Sequence, residues 1–171
     1  MKTVTVSWQP DRERFVAQGT HQDRTIVINA PRLDPATPAT GFSPSELLLA
    51  GAGACSAWDV VGILRKQRQA VTGIEVRVRG SQEPEPPWTF RAVELHYAVR
   101  GRELDRRRVE EAIRLSEERY CSVVATLRGA AEVTFTSEIL DEPEGAEGPE
   151  GESPEGAKGT SGRGGVTAEP A

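Results

Sequence analysis

The stretch GFSPSELLLAGAGACSAWDVVGILRKQR, residues 41–68, constrains the fold more than any other part of the chain. Ser43 stands where a helix wants its N-cap, and Pro44 where the first helical residue belongs. Arg65, Lys66 and Arg68 put positive charge at the negative end of the helix dipole. A helix over about 43–68 is therefore predicted. Leu47, Leu48, Leu49, Ala50, Ala52, Ala54, Ala57, Val60, Val61, Ile63 and Leu64 cover nearly its whole circumference, and a helix apolar all round is a buried helix. One sheet drawn from residues 1–140 covers only part of it, so a second subunit is expected on the rest, giving an obligate homodimer. Gly51 and Gly53 each cost a helix interior roughly 1 kcal/mol relative to alanine. Small residues over 50–54 have a use if another backbone or loop must approach closely.

Around this helix the sequence alternates. Val4, Val6 and Trp8 interleave with Thr3, Thr5 and Ser7, and RFVAQGT and RTIVINA come next as two more short strands. Residues 30–42 carry three prolines and read as an extended loop. After the helix, Ile74, Val76 and Val78 alternate with charged residues, EPEPPW breaks the pattern, and Val93, Leu95, Tyr97 and Val99 resume it. A second helix from Asp105 puts Val109, Ala112, Ile113, Ser116 and Tyr120 on one face, with Arg and Glu on the other. CSVVATLRG reads as a short helical piece ending at Gly129, and AEVTFTSEIL as a final strand. Strands in runs, not one by one with helices, mean α+β.

From Asp141 onward the chain is rich in Gly, Glu and Pro, with no aromatic residue, leucine or isoleucine. Such a segment buries too little apolar surface to offset its ordering entropy, so a folded domain over 1–140 and a disordered acidic tail over 141–171 are expected. The tail carries a net −6 against −5 for the whole chain, which leaves residues 1–140 at +1. The folded part is thus no basic nucleic-acid surface, and the arginines at 106–108 read as a solvated helix face. No membrane-spanning run and no secretory signal are read from the sequence, so the expected compartment is the cytoplasm.

There are two cysteines, Cys55 and Cys121. In a reducing compartment such a pair is catalytic, redox-active or simply packed. Their separation excludes a CxxC motif, and with only His21 and His96 as further soft ligands no zinc site and no other cofactor is expected. A reactive cysteine must be a thiolate. Asp59, four residues after Cys55, opposes ionisation unless an arginine from elsewhere bonds the carboxylate and lowers the thiol together. A second thiol can then condense with an oxidised first one.

SPSELLLAGAGACSAWDVVGILRKQR and, further on, LSEERYCSVVATL together resemble the OsmC/Ohr superfamily of osmotically induced and organic-hydroperoxide-resistance proteins. The resemblance to its YhfA-like branch runs through CSAxDVVxIL and YCSV, and extends over residues 1–140. It implies an intertwined α+β homodimer in which long central helices are wrapped by antiparallel sheets from both chains. It also implies reduction of organic, or inorganic, hydroperoxides, with Cys55 the peroxidatic thiolate, Cys121 the resolving thiol, and a dithiol such as a lipoyl protein as reductant. Hydroperoxide reductases of the family carry a glutamate ten residues before the first cysteine, where this chain has Ser45, with Glu46 adjacent. One helical step turns a side chain through about 100°, so Glu46 is not an automatic substitute. Their activating arginine lies in the turn after the first strand; Arg14 fits that position better than Arg12. Asp59 matches the branch pattern and either holds an arginine or packs a helix–helix contact. Trp58 either lines an apolar peroxide pocket or packs the dimer core. The alternative reading is a non-catalytic module of the same fold that holds a hydrophobic ligand, its cysteines structural or sensing.

Overall fold

A computed structural model describes residues 2–12, 14–20, 25–29 and 41–142. His21, most of the proline-rich loop and the acidic tail from 143 lie outside the described residues.

The chain opens with β1 (Thr5–Gln9), β2 (Arg14–Gln18) and β3 (Thr25–Asn29), an antiparallel sheet in the order β1-β2-β3. Trp8 pairs with Phe15 across it, ring centroids 4.8 Å apart. At the far side of the loop Phe42 bridges to Ile28, and Gly41 is required there, because a Cβ would stand 2.3 Å from the Val27 carbonyl oxygen. Among the described residues this sheet packs substantially only on itself, and Val6, Trp8 and Ile26 on it are exposed, as are Val4 and Phe42 beside it.

α1 (Pro44–Lys66) begins as the sequence predicts, with Ser43 accepting from Glu46 N and the Glu46 carboxylate accepting from Ser43 N at 2.7 Å, a capping box. The helix lies on β4 (Ala70–Gln82). β4 pairs antiparallel with β5 (Phe90–Arg102), and β5 pairs in parallel with β6 (Glu132–Asp141). A parallel neighbour needs a long crossover. It is supplied by α2 (Arg106–Leu115), a five-residue π turn (Ser116–Tyr120) and α3 (Ser122–Leu127). The core lies between this second sheet and the helices: Ala52, Val60 and Leu64 of α1 meet Val93, Leu95, Tyr97 and Val99 of β5 and Val109, Ala112 and Ile113 of α2.

Three expectations change. Tyr120, assigned to the buried face of the second helix, is 58 % exposed, while Glu117, assigned to the solvent face, is buried. The π turn adds a residue per turn after Leu115 and rotates the side chains beyond it. Within this chain α1 is covered only in part, as expected: it buries one stripe, Ala52, Gly53, Ser56, Val60 and Leu64, and leaves Leu48 and Trp58 exposed. By length and composition α1 is also apolar enough to cross a membrane, against the sequence reading; here its buried stripe packs on β4 and the crossover helices.

Candidate functional site

Cys55 and Asp59 stand four residues apart on α1, one turn of the same face. The π turn closes against that face and delivers Cys121 as the residue that caps α3, its Sγ accepting from Val124 N at 3.5 Å. The two sulfurs and an Asp59 carboxylate oxygen lie within 4.8 Å of one another, though the cysteines are remote in sequence. Cys55 is half-buried and Cys121 buried. Burial, and then the neighbouring Cys55 thiol, push the Cys121 thiol up to about 11, against a partial opposing pull from the Val124 N–H.

Beneath the thiols runs a buried polar chain. The Ser116 hydroxyl donates to Asp59 Oδ2 at 3.4 Å and shares a 3.0 Å hydrogen bond with Ser56. Ser56 meets the Tyr97 hydroxyl at 2.6 Å, and Tyr97 donates to Glu117 Oε1 at 2.5 Å. Arg128 closes the chain at the surface, donating to the Glu117 carbonyl at 2.8 Å and facing its carboxylate at 3.3 Å. Desolvation raises the Glu117 carboxyl above the usual carboxylate range, with Tyr97, Arg128 and Ser56 pulling the other way. Burial, then the Glu117 bond, push the Tyr97 phenol upward.

Of the residues singled out in the sequence, Cys55, Asp59 and Cys121 come together. Three others do not join them in this chain. Glu46 spends its carboxylate on the helix cap, which holds it below the usual range, and sits about 13 Å along the helix axis from Cys55. Arg14 donates from Nε to Gln9 Oε1 at 2.8 Å on the first sheet. Trp58 is 83 % exposed, so a single chain wraps no apolar pocket around it. Among the described residues Asp59 makes no ion pair. Ser56, Tyr97, Ser116, Glu117 and Arg128 belong to the site without being marked as such in the sequence. For Glu117 a signal existed: it lies one turn beyond Ile113 on the apolar side of α2.

A sheet with its helices on one face, and two cysteines meeting where the crossover touches the central helix, define a class of small α+β thiol proteins. Residues 37–136 match the OsmC-like protein family, and the chain belongs to it. Protein YhfA of Escherichia coli strain K12 is 43 % identical over 98 residues, which span 57 % of this chain and 73 % of that protein. A hypothetical protein from Aquifex aeolicus superposes with a TM-score of 0.72 at 26 % identity, covering 84 % of this chain and 98 % of the other. An organic hydroperoxide resistance protein OsmC from Legionella pneumophila, described as a predicted redox protein, has the same fold with a TM-score of 0.62 at 16 % identity, covering 81 % and 97 %.

Proposed function

We propose that this protein is a cysteine-based peroxidase of oxidative-stress defence that reduces organic hydroperoxides as an intertwined homodimer in the cytoplasm. The observation that carries the reading is the meeting of Cys55, Cys121 and Asp59 within 4.8 Å. The roles come from exposure. Cys55, the more accessible thiol, attacks the distal peroxide oxygen as a thiolate; the O–O bond breaks, Cys55 becomes a sulfenic acid, and the alkoxide leaves as the alcohol after taking a proton. Cys121, kept a thiol by burial, then attacks the sulfenic sulfur, forming the disulfide and releasing water. An external dithiol reduces the disulfide; a lipoyl protein fits that requirement. The hydroperoxide-resistance name of the Legionella protein supports the reading by analogy of fold.

The thiolate needs positive charge nearby. Arg14, on a sheet that projects from the body with its apolar residues exposed, is the guanidinium a second copy would bring, and Trp58 would line the cleft that copy closes. The folded unit is taken as residues 1–140 and the remainder as an acidic appendage, β6 itself continuing to Asp141.

Reduced protein treated with stoichiometric cumene hydroperoxide should yield a Cys55–Cys121 disulfide by peptide mass spectrometry. Cys55→Ser should abolish peroxide consumption, and Cys121→Ser should leave a sulfenic acid trappable by dimedone. Both thiols remaining free in the wild type would sink the two-cysteine mechanism.

A further inference from the structure

We infer that Cys55, Cys121 and Asp59 form, in the reduced protein, a binding site for a thiophilic divalent cation, with Zn²⁺ the best fit. Cys and His alone provide too few ligands for zinc in this chain; the fold adds a carboxylate. The three ligand atoms lie within 4.8 Å of one another, and tetrahedral zinc with Zn–S of about 2.3 Å and Zn–O of about 2.1 Å holds such atoms roughly 3.5–3.8 Å apart. Small side-chain adjustments bridge that difference. Two ligands four residues apart on one helix, with a third from another element, make a three-ligand set that leaves the fourth position open. Thiolates select zinc over magnesium or calcium.

Two of the ligands are also oriented from behind, which metal sites require. Ser116 donates to Asp59 Oδ2 and is itself hydrogen-bonded to Ser56, whose hydroxyl bonds Tyr97 in turn. Val124 N–H donates to Cys121 Sγ. In the bound form two thiolates and a carboxylate carry −3, of which a dication offsets two, and among the described residues Asp59 has no ion-pair partner to compete with it. Binding replaces each S–H bond by an S–Zn bond and releases that proton to solvent, with no change of oxidation state. A disulfide between the same sulfurs removes both thiolates, so metal and oxidation exclude each other.

The test needs no peroxide in its first arm, which keeps it separate from the catalytic reading. Reduced full-length protein is titrated with Zn²⁺ against a chromophoric chelator, and with Co²⁺ while thiolate-to-cobalt charge-transfer absorption is monitored. One metal per chain and a band scaled to two sulfurs are expected. Cys55→Ser and Cys121→Ser should each weaken binding by more than about 100-fold, and Ser116→Ala by about tenfold or more. Asp59→Asn should weaken binding, with circular dichroism reporting that the variant is folded. Wild-type protein that binds neither ion at micromolar concentration, or a Co²⁺ complex without the thiolate band, overturns the proposal. In the second arm, disulfide formation by diamide should release the bound zinc; retention of the metal by the disulfide form overturns it equally.

Discussion

Tyr97 of β5 donates to the Glu117 carboxylate of the π turn at 2.5 Å, joining two fully buried side chains that hold the crossover against the sheet beneath the cysteines. Cys121 comes directly after this turn, so the bond fixes where the second sulfur arrives. Removing it should be felt in both stability and site geometry.

Tyr97→Phe leaves Glu117 Oε1 without its strongest neighbour and takes an acceptor from Ser56. A buried group that loses its partner costs about 1–3 kcal/mol. Urea denaturation of the variant should show a loss in that range, with a slower Cys55–Cys121 disulfide closure under diamide. A change below about 0.5 kcal/mol, ordinary for surface substitutions, would mean the bond does not anchor the turn.

Glu117 also sets a pH dependence. Its carboxyl titrates at an ordinary 4.5 and is raised in the folded protein, mainly by desolvation. Between those values the native state binds the proton more tightly than the unfolded chain. Its contribution to stability is therefore full below pH 4.5 and declines as pH rises through the folded value. Glu46, lowered by its cap, acts with the opposite sign, so comparison with Glu117→Gln is needed to isolate the effect. The stability difference, wild type minus variant, should fall with rising pH over that window. A difference independent of pH would show that Glu117 does not titrate there.

The glycines of α1 separate into two kinds. A Cβ on Gly53 would meet Val78 Cγ2 at 2.9 Å, whereas one on Gly51 would meet nothing within 4 Å in this chain. Gly53→Ala gains about 1 kcal/mol of helix propensity and forces the helix off β4, an overpacking cost of about 1–3 kcal/mol. The net should be destabilising. Val78→Ala removes the obstructing methyl, so Gly53→Ala in that background should become neutral or stabilising. Additive effects of the two changes in a double-mutant cycle would refute direct contact as the reason for the glycine.

Much of this is legible in the sequence. Strand alternation, the Ser43–Pro44 start and the basic C-terminal turn of α1 are local signals, and each element they mark is present. What escapes depends on tertiary geometry. The π turn has no signature in SEERY, and without it a regular 3.6-residue period carries Tyr120 inward; Glu117 lies on the inward side of that period too, and only its charge assigns it to the solvent face. Arg14 and Glu46 stand out only by position relative to a family pattern, which fixes distance along a chain but not which hydrogen bonds a side chain already makes. Cys55 and Cys121 are conspicuous because thiols are rare, while the hydroxyls and the acid beneath them are common residue types whose meeting only the fold reveals.

The oligomer is the expectation with the largest structural consequence. α1 buries one stripe and leaves Leu48 and Trp58 uncovered, and the first sheet exposes Val6, Trp8 and Ile26, with Val4 beside it. A monomer rarely leaves apolar surface so arranged, whereas a second copy laid along α1 with exchanged sheets would bury both sets at once. Sedimentation equilibrium should give a dimer at micromolar concentration. Trp58→Asp places a charge on that face and should shift the population to monomer while the fold of the second sheet survives, since Trp58 is 83 % exposed and belongs to no buried cluster of its own chain. On the proposed function, dissociation should lower peroxide consumption with both cysteines intact, because the cleft and its guanidinium would come from the pairing. A wild-type protein that sediments as a monomer, or a Trp58→Asp variant that remains dimeric, would remove the second copy from the site.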